Sequence, residues 1–338
     1  MSSWSDQASD AIGNAVNAAA QVMADVVETA GNQAHDALTH LASGVGRVPV
    51  LGGVLGWLGG VASGVGDLVG AFLVGLGSLI AGGLGGVVRT IGGGLRGDRR
   101  SIRTGLIDLV SGPLGAILIV AGRLLSLVQS ILGVEARKRR LSPDEARLLQ
   151  HVFRESLAIY NLRIIAGRSG IFRFTDRPFT LANTIYMKAT AADDWRHTLV
   201  HESTHVWQYQ HLGSRYATDA LGAQLALGGN VAYDWQKALP GAWRDFNREA
   251  QAQAIEDVYR FAALAGHPAG TGAFFGDGAG RTGTFVVPPA VLPEHLSEED
   301  YRDLADLTAG DFTSLAHDAV AAVRNRKTVR FSRLLELT

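Results

Sequence analysis

Residues 198–208 read Thr-Leu-Val-His-Glu-Ser-Thr-His-Val-Trp-Gln and contain the pattern H-E-x-x-H, formed by His201, Glu202 and His205. On an α-helix, residues four apart lie on one face about one turn apart, so both imidazoles can bind one metal ion. Zinc binds neutral imidazole nitrogens, and a site with three protein ligands keeps a fourth position for water. The Glu202 carboxylate can accept a proton from that water. The pattern therefore predicts a Zn²⁺ site with Glu202 as the general base.

The pattern has this meaning only on a helix, and the neighbouring residues favour a helix. Leu199, Val200, Val206 and Trp207 form an apolar stripe at helical spacing, and Gly213 is a typical helix end. The alternative is a solvent-exposed helix face that carries two histidines and binds no metal.

Glu249 is predicted to be the third zinc ligand. It lies near the start of a helix predicted over Phe246–Leu264, from which its carboxylate can project toward the two histidines. Glu256, two turns further along the same face, could orient a ligand through a hydrogen bond. The alternative for Glu249 is an ordinary acid on a helix surface.

His211 is the alternative third ligand, because it follows His201 by ten residues, as in the longer pattern H-E-x-x-H-x-x-G-x-x-H. In that pattern glycine ends the helix. Gln208 occupies this position here and lets the helix continue, which turns His211 about 80° away from His201.

Tyrosine hydroxyls could also serve as donors to an oxyanion, although each tyrosine also fits a packing role. The candidates are Tyr186, Tyr209, Tyr216 and Tyr233, with Tyr209 and Tyr233 preferred.

Length, charge and cysteine content limit the classes of protein to consider. A chain of 338 residues predicts one or two domains, and a net charge of −1 gives no indication of nucleic-acid binding. The chain has no cysteine, which excludes disulfides and thiolate metal sites. Residues 1–6 do not begin a cleavable signal peptide, so an exported protein would use another route.

Glycine divides the chain, because 25 of the 42 glycines lie between Gly44 and Gly133. Three runs in this region, 48–66, 68–88 and 114–132, approach the length of about 20 apolar residues that spans a bilayer. Repeated G-x-x-x-G steps predict close helix packing, and the intervening arginines suit anionic lipids. We therefore expect residues 44–133 to insert into a membrane or to form a helical hairpin that can insert. A glycine-rich helical layer buried in a soluble assembly is the alternative. The glycines of the G-x-x-x-G steps are Gly52, Gly56, Gly60 and Gly64.

Residues 5–41 predict an amphipathic helix, since apolar residues that include Met23 and Val26 recur at spacings of three and four. Such a helix packs on its own neighbours or binds a chaperone or secretion-apparatus partner. The domains predicted are thus an amphipathic helix over 1–43, a glycine-rich hydrophobic helical region over 44–134 and a third domain over 135–338.

The third region has an ordinary composition and predicts an α+β, mainly α fold. Ser142, Pro143 and Glu145 predict a helix start with a capping box. Short strands are predicted over 161–166, 171–174 and 180–188. The last of these precedes the motif helix, where a strand can hold an extended peptide or simply be a buried structural strand.

Three segments together resemble a zincin-like metallopeptidase domain of bacterial proteins associated with contractile injection systems, including Vgr-related proteins. They are 141–147 (Leu-Ser-Pro-Asp-Glu-Ala-Arg), 183–186 (Asn-Thr-Ile-Tyr) and 198–208. The resemblance covers about residues 135–260. It implies a zincin fold with His201 and His205 as zinc ligands and Glu202 as general base. The glycine-rich half lies outside it and resembles, by analogy only, translocation segments of secreted effectors.

We therefore expect an exported bacterial effector in which a zinc-dependent peptidase follows a membrane-interacting half. Its substrate would be a protein or peptide, and it would act at a membrane or inside a target cell. Two alternatives remain. The damage could come from the membrane-active half, or the chain could be non-enzymatic cargo of an injection particle whose zincin-like domain is a docking module.

Overall fold

The computed structural model describes residues 4–44, 49–134, 138–167, 177–187, 195–227, 232–264, 283–287 and 309–325. These residues are mainly helical and include two small sheets, which confirms the predicted α+β, mainly α fold class. The strand predicted over 171–174 lies outside the described residues.

Three long helices form the first part of the chain: α1 (Trp4–Gly44), α2 (Pro49–Arg96) and α3 (Arg99–Ile131). Helix α2 packs between α1 and α3. The helix predicted over 5–41 is confirmed as α1, but its predicted apolar stripe does not form the buried face. Met23 and Val26 are exposed, whereas Ala24, Glu28 and Gly31 are buried. Small and polar side chains allow α1 to lie close to α2.

Helix α2 joins two apolar runs that the sequence separates at Asp67. Asp67 is buried within the helix because its carboxylate accepts hydrogen bonds from Arg123 of α3 and Lys138. The turn into α3 combines Gly97, at φ +66°, with Asp98, whose side chain accepts hydrogen bonds from the first amides of α3.

Glycine permits the close approach of α1 and α2, but only some of the predicted glycines take part. A Cβ atom placed on Gly31 would lie 3.1 Å from the Cα of Gly66, and one on Gly66 would lie equally close to Gly31. In contrast, Gly56 and Gly60 of the G-x-x-x-G steps have no atom of a neighbouring element within 4 Å of such a Cβ. The prediction of close packing is therefore wrong at Gly56 and Gly60. It is confirmed at Gly52 and Gly64, where a Cβ atom would lie 3.3 Å from the carbonyl oxygen of Ala42 and 3.0 Å from Cδ1 of Leu127.

The remaining chain forms α4 (Pro143–Phe153), α5 (Trp195–Leu212), α6 (Arg215–Leu227), α7 (Arg248–Phe261) and α8 (Thr313–Asn325). The predicted capping box starts α4, since the Glu145 amide donates to Ser142 and the Ser142 amide donates to Glu145. Helix α7 is shorter than the predicted helix over 246–264 because Asn247 caps its start and a strand follows Phe261.

One sheet has the order β1-β2-β4-β3, from β1 (Lys138–Arg139), β2 (Arg163–Ala166), β3 (Phe179–Leu181) and β4 (Thr184–Met187). Strands β2 and β4 are parallel, and the other two pairs are antiparallel. The single strand predicted over 180–188 is instead the hairpin β3–β4, because Ala182 turns the chain at φ +52°. The second sheet joins β5 (Ala262–Leu264), β6 (Gly283–Val287) and β7 (Gly310–Asp311).

The helical layer contacts the remaining chain through buried polar groups. Glu28 of α1 accepts a hydrogen bond from Asn183, and Arg123 of α3 donates to Thr184. Asp67 of α2 pairs with Lys138 of β1. The regions predicted as separate domains thus share a charged and hydrogen-bonded contact surface.

Candidate metal centre

Helix α5 carries His201 and His205, and the first turn of α7 brings Glu249 against them. Oε2 of Glu249 lies 3.3 Å from Nε2 of His205 and 3.7 Å from Nε2 of His201. One ligand atom from each residue lies within 4.8 Å of the others, and all three residues are buried. Zinc–ligand bonds of about 2.05 Å place the corners of a tetrahedron about 3.3 Å apart. The two distances from Glu249 are close to this spacing, so the three residues could hold one zinc ion.

Both imidazoles are oriented by hydrogen bonds at their other nitrogen. Nδ1 of His201 lies 2.9 Å from Oε2 of Glu256, and Nδ1 of His205 lies 2.8 Å from Oε1 of Gln208. An acceptor at Nδ1 fixes the proton there and leaves the lone pair of Nε2 for a metal. Both Nε2 atoms therefore face Glu249 in the tautomer that a zinc ion requires.

Glu202 is buried beside the two histidines, and Oγ1 of Thr180 donates to its Oε2 over 2.7 Å. Burial raises the pKa of the Glu202 carboxyl above its usual range, although His201 and His205 act in the opposite direction. A carboxylate with a raised pKa accepts a proton more readily at neutral pH, as a general base must.

The histidines and carboxylates of the cluster shift one another's pKa values in favour of the charged forms. Burial alone would lower the pKa of His201, but hydrogen bonds to Glu249 and Glu256 raise it well above its usual range. A metal ion that binds at Nε2 therefore displaces the proton held between His201 and Glu249. Burial alone would raise the pKa of Glu249, but His205 and His201 hold it well below the usual carboxyl range. Burial would likewise raise the pKa of Glu256, but hydrogen bonds to His197 and His201 hold it well below that range. Both acids are therefore carboxylates, which is the form that binds a cation or orients a ligating histidine.

His211 lies on the same helix but bonds elsewhere. Helix α5 continues through Leu212, as the glutamine at position 208 predicts, and Nε2 of His211 lies 2.8 Å from the carbonyl oxygen of Ser156. This contact points His211 toward the end of α4 and away from the triangle of His201, His205 and Glu249.

The two preferred tyrosines occupy different surroundings. The ring of Tyr233 lies 5.7 Å from that of His201, and the charges of Glu249 and Glu202 reach its hydroxyl. Tyr209 packs instead in the apolar cluster beneath α1 and α2, with its ring 5.9 Å from Tyr216. Tyr233 is thus the one of this pair that lies beside the metal-binding triangle, and oxyanion donation stays a prediction.

Three residues of the centre were not singled out by the pattern. Gln208 could have been found as a polar residue one turn after His205, and His197 as a histidine one turn before His201. Nδ1 of His197 lies 2.5 Å from Oε1 of Glu256, so both carboxylate oxygens of Glu256 have an imidazole partner. No sequence pattern indicated Thr180, because it is 22 residues from Glu202 and only the fold brings the two together.

Replacing Gln208 by leucine is expected to weaken zinc binding by about 10- to 100-fold, because His205 would lose the acceptor that fixes its tautomer. Competition with a chromophoric chelator measures the change. Gln210→Leu is the matched control. This neighbouring amide bonds to Ala158 and Asn183 and contacts neither histidine of the triangle, so unchanged affinity is expected. Equal losses in the two variants would contradict an orienting role for Gln208.

No family model matches the chain, and neither the curated proteins nor the solved structures contain a match to it. Any assignment of function therefore depends on the residues and their geometry.

Proposed function

We propose that the protein is a zinc-dependent peptidase in which His201, His205 and Glu249 hold the metal and Glu202 is the general base. The observation that carries the proposal is the convergence of three ligand atoms from α5 and α7 within 4.8 Å, directly beside a buried carboxylate. A zinc ion bound there supplies a Lewis acid that polarises a carbonyl group and makes water a nucleophile at neutral pH.

The remaining steps belong to residues of the chain. Glu202 accepts the proton of the attacking water and passes it to the leaving amine, while Thr180 holds the second carboxylate oxygen, Oε2, in place. Glu256 and Gln208 keep the two histidine rings aimed at Glu249. Burial of the whole group limits access of competing water.

A peptide is the substrate that the neighbouring strand favours. Strand β3 lies at the edge of its sheet, because β4 is its only partner among the described strands. Thr180 of β3 bonds both the side chain and the carbonyl oxygen of Glu202, so this edge passes directly beside the general base. An extended peptide added to β3 would place a carbonyl group near the centre.

We further propose, on the resemblance stated above, that the peptidase is part of an exported bacterial effector with a membrane-associated first half. Helices α2 and α3 are each long and apolar enough to cross a membrane, by length and composition alone. Helices that lie on a membrane surface can have the same length and composition.

The full chain is expected to bind one equivalent of zinc tightly, and Glu249→Gln is expected to weaken that binding by more than about 100-fold. His211→Ala is the matched control, and its affinity should equal that of the unsubstituted protein. Metal content by mass spectrometry and competition with a chelator measure both. A protein that retains no zinc would refute the peptidase proposal and favour the alternative of a docking module.

A further inference from the structure

The surface of α2 and α3 that faces away from the metal centre contains no exposed polar side chain over most of its length. Every exposed residue between Leu51 and Leu95, and between Leu106 and Val134, is apolar or glycine, and the structure describes all of these positions. We call this surface the outer face. Its exposed apolar side chains include Val54, Trp57, Phe72, Leu76, Leu84, Ile91, Leu106, Ile117 and Leu124.

Charged side chains of the same helices point the opposite way. Arg123 donates to Asp67 over 3.0 Å and is completely buried. Arg89 pairs with Asp10 of α1 over 2.5 Å and with Asp108 of α3. The layer is therefore apolar on the outside and charged on the inside, the reverse of a layer at the surface of a water-soluble protein.

These ion pairs oppose a crossing of the bilayer by α2 or α3 alone. A helix that left the layer would take Asp67 or Arg123 away from a buried partner and into hydrocarbon, where an unpaired charge is costly. Length gives a second argument. Helix α2 has 48 residues and is about 72 Å long, more than twice the hydrocarbon thickness of about 30 Å. A helix parallel to the bilayer surface needs no match in length.

Lipid fits the outer face better than a protein does. Protein interfaces contain roughly one hydrogen bond per 100–200 Å² and a polar rim. Between Leu51 and Leu95, the one polar group on an exposed side chain of the outer face is the indole N–H of Trp57, which already donates to the carbonyl oxygen of Ile131 over 2.9 Å. Arg99, Arg100 and Arg103 are exposed at the start of α3, directly beside the face. Arginines at the edge of an apolar surface contact anionic headgroups while the apolar side chains enter the acyl region.

We propose that the outer face lies flat in one leaflet of an anionic bilayer, with the metal-binding half on the aqueous side and neither helix crossing the membrane. The inference rests on the membrane association proposed above and specifies its geometry. In this arrangement the protein is a monotopic enzyme, and Arg99, Arg100 and Arg103 contact lipid headgroups.

The absence of cysteine allows single labelling sites in the full chain. Val54→Cys, Phe72→Cys and Val87→Cys, labelled with an environment-sensitive fluorophore, would be mixed with vesicles of phosphatidylcholine and phosphatidylglycerol. Quenching by spin-labelled lipids should place all three labels at one shallow depth. Met23→Cys on α1, which is 51% exposed but outside the outer face, is the control and should remain in water.

A second pair of variants tests the forces involved. Phe72→Glu with Leu76→Glu should reduce vesicle binding by at least tenfold, with zinc content as the check of folding. Replacing the three arginines by glutamine should reduce binding to anionic vesicles by about 100-fold and leave the weak binding to pure phosphatidylcholine unchanged.

The outcomes separate this inference from the proposals on which it rests. Labels at three different depths, or the Phe72 label at the bilayer centre, would show a crossing helix and overturn only the flat geometry. No binding to either vesicle would overturn membrane association altogether. A dimer in sedimentation that Phe72→Glu dissociates, without vesicle binding, would assign the outer face to a second copy. None of these results would alter zinc binding.

Discussion

Replacement of Glu202 by glutamine is expected to reduce peptide hydrolysis by about 100- to 10,000-fold while zinc binding is retained. Glutamine has nearly the same shape and can still accept a hydrogen bond from Thr180 through its carbonyl oxygen. It cannot accept a proton from water at neutral pH. The loss should therefore appear in kcat, because the metal ligands and the sheet edge beside them are unchanged.

The measurement uses a library of quenched fluorescent peptides with the zinc-loaded full chain, and metal content is determined for every variant. Glu155→Gln, at a carboxylate outside the centre, is the matched control and should keep full activity. Activity that survives Glu202→Gln undiminished would refute the role of Glu202. The non-enzymatic alternative would gain support if neither the variant nor the unsubstituted protein cleaved any peptide.

Replacement of Asp67 by alanine is expected to lower the free energy of unfolding by about 3–5 kcal/mol. Its carboxylate is the buried partner of both Arg123 and Lys138, so the variant leaves two cations without a counter-charge at the junction of α2, α3 and β1. Denaturant unfolding followed by circular dichroism measures the change.

The double variant Asp67→Ala with Arg123→Leu should recover part of this loss, because it also removes one of the stranded charges. Arg147→Ala removes an exposed pair with Asp144 instead, and a change within about 1 kcal/mol is expected. Equal effects of Asp67→Ala and Arg147→Ala would show that the buried charges do not hold the helical layer in place.

The local parts of the candidate centre could be predicted because they depend on spacing along a single helix. His201 and His205 share one face of α5 as the four-residue interval requires, and Glu202 follows His201 directly. Gln208 at the glycine position kept that helix continuous. The start of α4 was equally predictable, since a capping box is formed by residues only three apart.

The glycine-rich half was predictable as helix but not in its packing. Composition does not indicate which face of a helix meets a neighbour when most residues are apolar or glycine. Gly66 meets Gly31 because α1 lies along that side of α2, and this depends on the register between two helices. Asp67 separates two apolar runs in the sequence, although both runs belong to one helix. Its partner Arg123 is 56 residues further along the chain, so the sequence did not indicate that Asp67 could be buried.

The sequence by itself determined two imidazoles one helical turn apart with a carboxylate beside them, and a long apolar region ahead of them. Local spacing and composition fix both features, so neither requires knowledge of distant contacts. Only the tertiary structure decided that Glu249, of the candidate third ligands, completes the triangle with His201 and His205. It also decided that Thr180 bonds Glu202 and that Glu256 bonds His201. The inward direction of the charges on the apolar helices was likewise decided there. Each of these depends on two segments far apart in the chain meeting in space, which no periodicity within either segment specifies.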